Sequence, residues 1–279
     1  MPLPMQLKKL YNQRNKMISK YKFTTTLLIV FGCLTLHSAS AKETKLAVKA
    51  GEKIAFMGDS ITAAGNRKNG YVQLVMQALN QEGLKLTHVP AGKSGHKSNN
   101  MLARLDKDVL SKDPDWMLLS CGVNDVWHFT LTLGKRTFEG VSLNDYKKNI
   151  STIIKRAQAA DIKVMILTST MIGEDPNKET NKRLIPYNDF LREIAKEKKC
   201  LIADLSKDMH ELVKKMPDEK GKARMFGEPK YSRNIKNKIT SDGCHMNKLG
   251  NIMMAKGILK ALGLSDKKIA AAEVSWLGK

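Results

Sequence analysis

Two polar segments near opposite ends of the 279-residue chain hold side chains suited to nucleophilic chemistry. The first is Gly58-Asp59-Ser60, inside FMGDSITAAG, directly after an apolar run. The second is Ser241-Asp242-Gly243-Cys244-His245-Met246-Asn247. A serine hydroxyl attacks a carbonyl only when a base takes its proton, and an imidazole does this near neutral pH. The imidazole needs a carboxylate to fix its tautomer and stabilise its cation. Asp242 and His245 stand three apart around a glycine, so one turn can offer both side chains to one pocket. These are parts for acyl transfer. Alone, Gly58-Asp59-Ser60 reads as an ordinary turn and helix cap, and its partners elsewhere in the chain decide otherwise. A Walker-type phosphate loop is excluded, because the second glycine and the Gly-Lys-Ser/Thr spacing are missing.

Groups so far apart in sequence need a scaffold that gathers them at one edge. Five short apolar runs, 53–57, 86–90, 116–121, 163–168 and 200–204, predict buried strands. Helical spacing fills the intervals. Tyr71, Leu74, Val75, Ala78 and Leu79 share a face, and Met101, Leu102, Leu105, Val109 and Leu110 share another after a cap at Ser98. Tyr146, Ile150, Ile153, Ile154 and Ala157 follow a capping box at Ser142 and Asp145. Further helices carry Phe190, Leu191, Ile194 and Ala195, then Met209, Leu212, Val213 and Met216, then Leu249, Ile252, Met253, Ile258 and Leu259. Strand and helix alternate, and no strand alternates polar with apolar residues. The pattern predicts an α/β domain over 46–265, with a parallel sheet covered on both faces. Residues 266–279 are expected as a tail and 220–240 as a long loop.

In doubly wound sheets the working residues collect at the carboxyl ends of the strands. There the chain places Ser60, then Ala91-Gly92-Lys93-Ser94-Gly95-His96, then Gly122-Val123-Asn124-Asp125. An oxyanion needs preorganised N–H donors, which the Ser60 amide, a glycine amide and an asparagine side chain can supply.

FMGDSITAAG, AGKSGHKSNNMLARL, GVND and DGCHMNKLG, in that order, resemble the four blocks of the SGNH (GDSL) hydrolase family. The resemblance spans nearly all of the chain after its leader and rests on four blocks together. It implies a flavodoxin-like three-layer α/β/α sandwich with a five-stranded parallel sheet. It implies Ser60 as nucleophile, Asp242 and His245 as the rest of the triad, and Ser60, Gly95 and Asn124 as the oxyanion hole. It implies no metal and no cofactor. Lys93 and Cys244 depart from the pattern, where hydrophobic and aliphatic residues are usual, but neither removes a catalytic group. Asp59, His96, Trp127 and His128 are the further candidates for substrate contact, with Asp59 also suited to support the turn around Ser60. His88 and His210 read as ordinary core or surface residues.

Composition narrows the class. Hydrophobic residues make up 42% of the chain, enough for a full core. Residues 1–41 combine six lysines and arginines, no acid, the apolar segment 23–36 and the small-residue pattern Ser38-Ala39-Ser40-Ala41. This predicts a secretory signal peptide cleaved after Ala41, with Met17 as an alternative start. An uncleaved anchor, or lipid attachment at Cys33, are the alternatives. Cleavage lowers the formal charge from +21 to +15 and leaves no stable membrane span. The lysines are scattered without a basic stripe, so nucleic acid is not the expected partner. Attraction to acidic polymers is expected if Lys222, Arg224, Lys230, Arg233, Lys236 and Lys238 line the pocket rim. Cys121, Cys200 and Cys244 remain, an odd number without a Cys-x-x-Cys pair; Cys121 and Cys244 could be joined if they are neighbours. The expected function is a secreted or periplasmic serine esterase for short acyl esters, acetyl esters of polysaccharides foremost. A lysophospholipase, thioesterase or arylesterase is the enzymatic alternative. A non-catalytic carbohydrate-binding protein is disfavoured because every catalytic position is filled.

Overall fold

Five parallel strands form the central sheet of the structure, a computed structural model that describes residues 45–223, 225 and 233–278. The expected leader, with Cys33, lies outside the described residues. The strands are β1 (Lys53–Gly58), β2 (Thr87–Gly92), β3 (Trp116–Ser120), β4 (Lys163–Leu167) and β5 (Leu201–Ala203). Their spatial order is β2-β1-β3-β4-β5. β1 and β3 lie in the interior of the sheet and carry continuous apolar runs: Ile54, Ala55, Phe56 and Met57 are inaccessible, as is Met117. β2, on the sheet edge, is partly exposed. It pairs Pro90 with Phe56 and Gly92 with Gly58, and it lies slightly further along the chain than its apolar run suggests.

Helices cover both faces, giving the α/β/α sandwich. α1 (Ser60–Gly65) leaves β1, and α2 (Tyr71–Gln81) returns along the sheet with Tyr71, Val72, Leu74, Val75, Ala78 and Leu79 buried. α3 (Ser98–Ala103) and the single turn α4 (Leu105–Asp108) follow β2, and α5 (Val123–Trp127) follows β3. α6 (Leu143–Ala159), α7 (Glu179–Glu197), α8 (Leu205–Lys215), α9 (Lys248–Ala261) and α10 (Asp266–Leu277) complete the layers. α2, α8, α9 and α10 form one packed layer, and α3, α5, α6 and α7 the other. The cap of α6 forms as expected, with Ser142 Oγ accepting from the Asp145 amide and donating to its carboxylate. Among the described residues no helix is long and apolar enough to cross a membrane.

Three expectations change. Residues 220–240 are not all loop: Lys220–Ala223 pairs with Arg233–Ile235 in an antiparallel ribbon. The segment expected as a tail contains α10, which buries Ile269, Ala272 and Trp276. The helix expected after a Ser98 cap instead begins at Ser98, with Lys97 in the cap position. Ser98 is occupied elsewhere: its amide donates to Asp125 Oδ1 and its hydroxyl accepts from Asn149.

That helix also breaks at Arg104, because this side chain turns into the protein. Arg104 is 7% exposed. Its Nη1 donates to the Ala91 carbonyl and to Asp108 Oδ2, its Nη2 to the Gly58 carbonyl and its Nε to His96 Nδ1. One planar cation thus joins the carboxyl ends of β1 and β2 to the loop that follows them, using the fixed fork of donors that lysine lacks. Removing it takes a donor from the Ala91 carbonyl, leaves the Gly58 carbonyl to the Lys93 amide and leaves Asp108 paired with Lys93 alone. Arg104→Met should cost about 1–3 kcal/mol, seen in thermal unfolding as a Tm lower by roughly 2–12 °C. An unchanged Tm would mean that the neighbouring backbone satisfies these groups without it.

Candidate active site

The chain leaves β1 and crosses to one side to build β2, then starts again at β3 and builds outward to the other side. The crevice between the carboxyl ends of β1 and β3 is therefore the switch point, where doubly wound sheets bind ligands. Ser60 follows β1 and Asn124 follows β3.

Sterics shape this edge. A Cβ on Gly58 would come within 2.0 Å of Thr62 Oγ1 and 3.1 Å of the Ser120 carbonyl, so only glycine lets β1 turn here. Gly122 has φ +131°, and a Cβ there would come within 2.2 Å of Ser169 Oγ. These turns start α1 and α5 with their first residues facing the crevice.

Ser60 is the first residue of α1, and Asp59 is its cap, with Oδ1 accepting from the Ile61 amide at 2.8 Å. Asp59 is 2% exposed. Its geometry is thus that of a cap rather than a substrate contact, and burial pushes its carboxyl up to about 6. His245 Nε2 lies 2.8 Å from Ser60 Oγ, and His245 Nδ1 lies 2.8 Å from Asp242 Oδ2. Asp242 Oδ1 accepts from the amides of Cys244 and His245, which locks the turn around its own carboxylate. Burial alone would raise the Asp242 carboxyl, but the hydrogen bonds from His245 outweigh it and hold the group below the usual carboxylate range. The hydrogen bond to Asp242 raises the His245 imidazole above its ordinary value, against the opposing effect of burial.

The donors stand opposite. Asn124 is 5% exposed; its Nδ2 donates to the His96 carbonyl at 3.1 Å and stands 3.5 Å from Asp59 Oδ2. The bond to His96 fixes the amide's orientation, and the second N–H has no closer acceptor than Asp59 among the described residues. Gly95 lies in the exposed turn before His96. The Ser60 amide, first in its helix, has no intrahelical acceptor. This set can receive negative charge that develops on an acyl oxygen beside Ser60 Oγ.

The other candidates fall differently. His96 is half-buried, and its Nδ1 accepts from Arg104. The remaining proton of the neutral ring therefore sits on Nε2 as a donor. Burial, with help from Arg104 and Lys93, lowers its pKa. Trp127 and His128 are 6% and 5% exposed, and His128 packs on Phe138 with ring centroids 5.1 Å apart. Trp127 closes α5 and His128 is its C-terminal cap residue, both buried. Cys121, Cys200 and Cys244 are all free thiols, and burial raises the pKa of each. Among the described residues no His, Cys, Asp or Glu cluster could hold a metal. The cations expected to line a rim are partly committed elsewhere: Lys236 pairs with Glu219, and Lys238 pairs with Asp218 and donates to two carbonyls at the end of α8. Arg224 and Lys230, and the side chain of Arg233, lie outside the description. Neither Arg104 nor Glu174, which lies behind the Asp242 turn, stands in a segment whose spacing marks it; a charged residue on an apolar helix face was the one available signal for Arg104.

Comparison with known proteins gives the family and the fold. The profile of the GDSL-like Lipase/Acylhydrolase family matches residues 56–251. An acetylxylan esterase of Geobacillus stearothermophilus is 27% identical over 182 residues, covering 60% of this chain and 82% of that protein. The crystal structure of the acetyl xylan esterase AlAXEase shares 32% identity with a TM-score of 0.61, covering 75% of this chain and 98% of that one. A crystal structure of the Geobacillus stearothermophilus acetylxylan esterase, at 23% identity, shares the fold with a TM-score of 0.65 over 78% of this chain and 97% of that one.

Two outcomes follow from the geometry. A raised imidazole pKa means that the neutral base appears only at higher pH. The acid limb of kcat/KM should therefore have its midpoint above about 6.5. Asp242→Asn should shift that limb to lower pH while turnover falls about 10⁴-fold, both read from pH–rate profiles. Asn124→Ala should lower kcat by about 10²–10³-fold with KM little changed; a KM effect alone would mark Asn124 as a ground-state contact.

Proposed function

The chain belongs to the GDSL-like lipase/acylhydrolase family and is a carboxylic ester hydrolase, and from that premise we propose an exported serine esterase that removes acetyl groups from polysaccharides. The observation that carries the reading is the continuous relay from Asp242 Oδ2 through His245 to Ser60 Oγ, with 2.8 Å at each link. The acetylxylan esterases among its relatives support the acetyl group and the polysaccharide. The basic, apolar and small-residue sequence of the first 41 residues supports export.

In this reading Ser60 Oγ attacks the ester carbonyl carbon as its proton passes to His245 Nε2. The carbonyl oxygen becomes an oxyanion held by the Ser60 and Gly95 amides and by Asn124 Nδ2. Asp242 keeps the Nδ1 proton in place and stabilises the imidazolium. Collapse of the intermediate breaks the bond to the sugar oxygen, which leaves with the proton from His245. The acyl group stays on Ser60. His245 then takes a proton from water, the hydroxide attacks the acyl carbon, and a second collapse releases acetate and returns the proton to Ser60. His96 Nε2–H, fixed by Arg104, is a donor for a sugar hydroxyl beside the oxyanion hole.

The test is acetate release from acetylated xylan and other acetylated polysaccharides, beside p-nitrophenyl esters of increasing chain length. Acetyl esters should be the best substrates, and Ser60→Ala should lower release by about 10⁴-fold or more. A serine-directed phosphonate should label Ser60 alone. A preference for long acyl chains would replace the acetyl reading with a lipase-type one.

A further inference from the structure

The turn that holds Asp242 and His245 has no regular secondary structure beyond one bridge between Thr240 and Met246. Something else must keep it within hydrogen-bond reach of Ser60. The segment after β4 supplies a buried carboxylate, Glu174, which is 7% exposed. Its Oε1 accepts from the Ile239 amide at 2.8 Å and from both the Thr240 amide and hydroxyl at 2.7 Å. Its Oε2 accepts from the Lys238 amide at 2.5 Å. Three consecutive amides and a hydroxyl thus converge on one carboxylate. The chain of contacts continues into the turn: Thr240 Oγ1 accepts from the Gly243 amide at 3.1 Å. The neighbouring Gly173 amide donates to the Gly243 carbonyl at 2.6 Å. Gly243 lies between Asp242 and His245, so Gly173 directly, and Glu174 through Thr240, hold the turn at the carbonyl and the amide of one residue.

We propose that Glu174 is a positioning residue for the esterase reaction: it sets the register of the 238–240 segment and, through Thr240 and Gly243, the approach of His245 to Ser60. This rests on the reading of His245 as the general base. A carboxylate is suited to the task because both oxygens only accept. A glutamine of the same shape must turn an NH₂ toward amides that are themselves donors, so one side of the grip is lost. A misplacement of the base by about 1 Å costs up to about 10²-fold in rate, so the effect belongs in turnover, not in substrate binding.

The experiment compares Glu174→Gln, Thr240→Val and Thr240→Ser with the parent chain and with His245→Ala, each checked for folding by circular dichroism and thermal melting. Glu174→Gln should lower kcat by about 10–10²-fold with KM within about twofold, and phosphonate labelling of Ser60 should slow in parallel. Thr240→Val should lower kcat in the same manner, and Thr240→Ser, which restores the hydroxyl, should recover it. Thr240→Val also keeps the test decisive should Glu174→Gln fail to fold. If folded Glu174→Gln and Thr240→Val both keep the parent kcat while His245→Ala is inactive, the positioning role is wrong and the triad stands. If His245→Ala itself keeps activity, the reading of the base fails first.

Discussion

The hydrogen bond between His245 Nε2 and Ser60 Oγ joins residues 185 positions apart and ties the first strand of the sheet to the last turn before α9. Side chains meet at 2.8 Å over such a separation only if the backbone on each side is fixed. The two sides are fixed by different means. Ser60 stands on regular structure, at the junction of a buried strand and a capped helix. His245 stands on an irregular turn anchored by Asp242, by Asn247 and by the buried acceptor behind it. Asn247 caps α9 with its Oδ1 and donates from Nδ2 to the Lys238 carbonyl, so the helix start and the turn share one side chain. A rigid nucleophile facing a base on a braced turn is how the fold preorganises a proton transfer.

The same edge concentrates groups that are expensive to bury. Asp59, Asn124 and Asp125 are all nearly inaccessible. Each is spent on the backbone or on a neighbour: Asp59 on the start of α1, Asp125 on the Ser98 amide and the Cys121 thiol, Asn124 on the His96 carbonyl. Burial raises both aspartates above their ordinary range. Their role is to connect three loops, from β1, β2 and β3, into one floor. Arg104 adds the cation that joins two of those loops from beneath. A buried polar network of this kind is rigid when every member is satisfied and costly when one is not.

Much of this was legible from sequence, and the parts that were not share a cause. The five strands were visible because each is short, apolar and bounded by turn residues, and in a sheet covered on both faces that pattern has few other meanings. The blocks around Ser60, Gly95, Asn124, Asp242 and His245 stood out because residue type and order together suit acyl transfer. Arg104 and Glu174 did not, because a charged residue on a helix or in a loop ordinarily faces water; only the third dimension shows that these two turn inward toward strand ends and amides. The break in the helix at Arg104 follows from the same inward turn, and no local propensity announces it. The ribbon formed by Lys220–Ala223 and Arg233–Ile235 has too few paired residues to leave a period in the sequence. α10 was hidden because only Ile269, Ala272 and Trp276 mark its buried face, while Val274 and Leu277 are apolar yet exposed and blur the helical period.

The edge strand β2 bears on how molecules of this protein meet one another. The Thr87 and Lys93 amides, at either end of the strand, point inward to the carbonyls of Glu52 and Gly58. By the alternation of a strand, the residues between them at even positions, His88 and Pro90 among them, turn their backbone groups outward. Proline has no N–H, so the middle of the outward edge lacks a donor just where a second strand would need one. The opposite edge, β5, is three residues long and offers little length to pair with. A five-stranded sheet with one interrupted and one truncated border cannot readily be extended by a neighbour's strand. Edge-to-edge pairing is disfavoured by a missing donor at one side and by a short strand at the other.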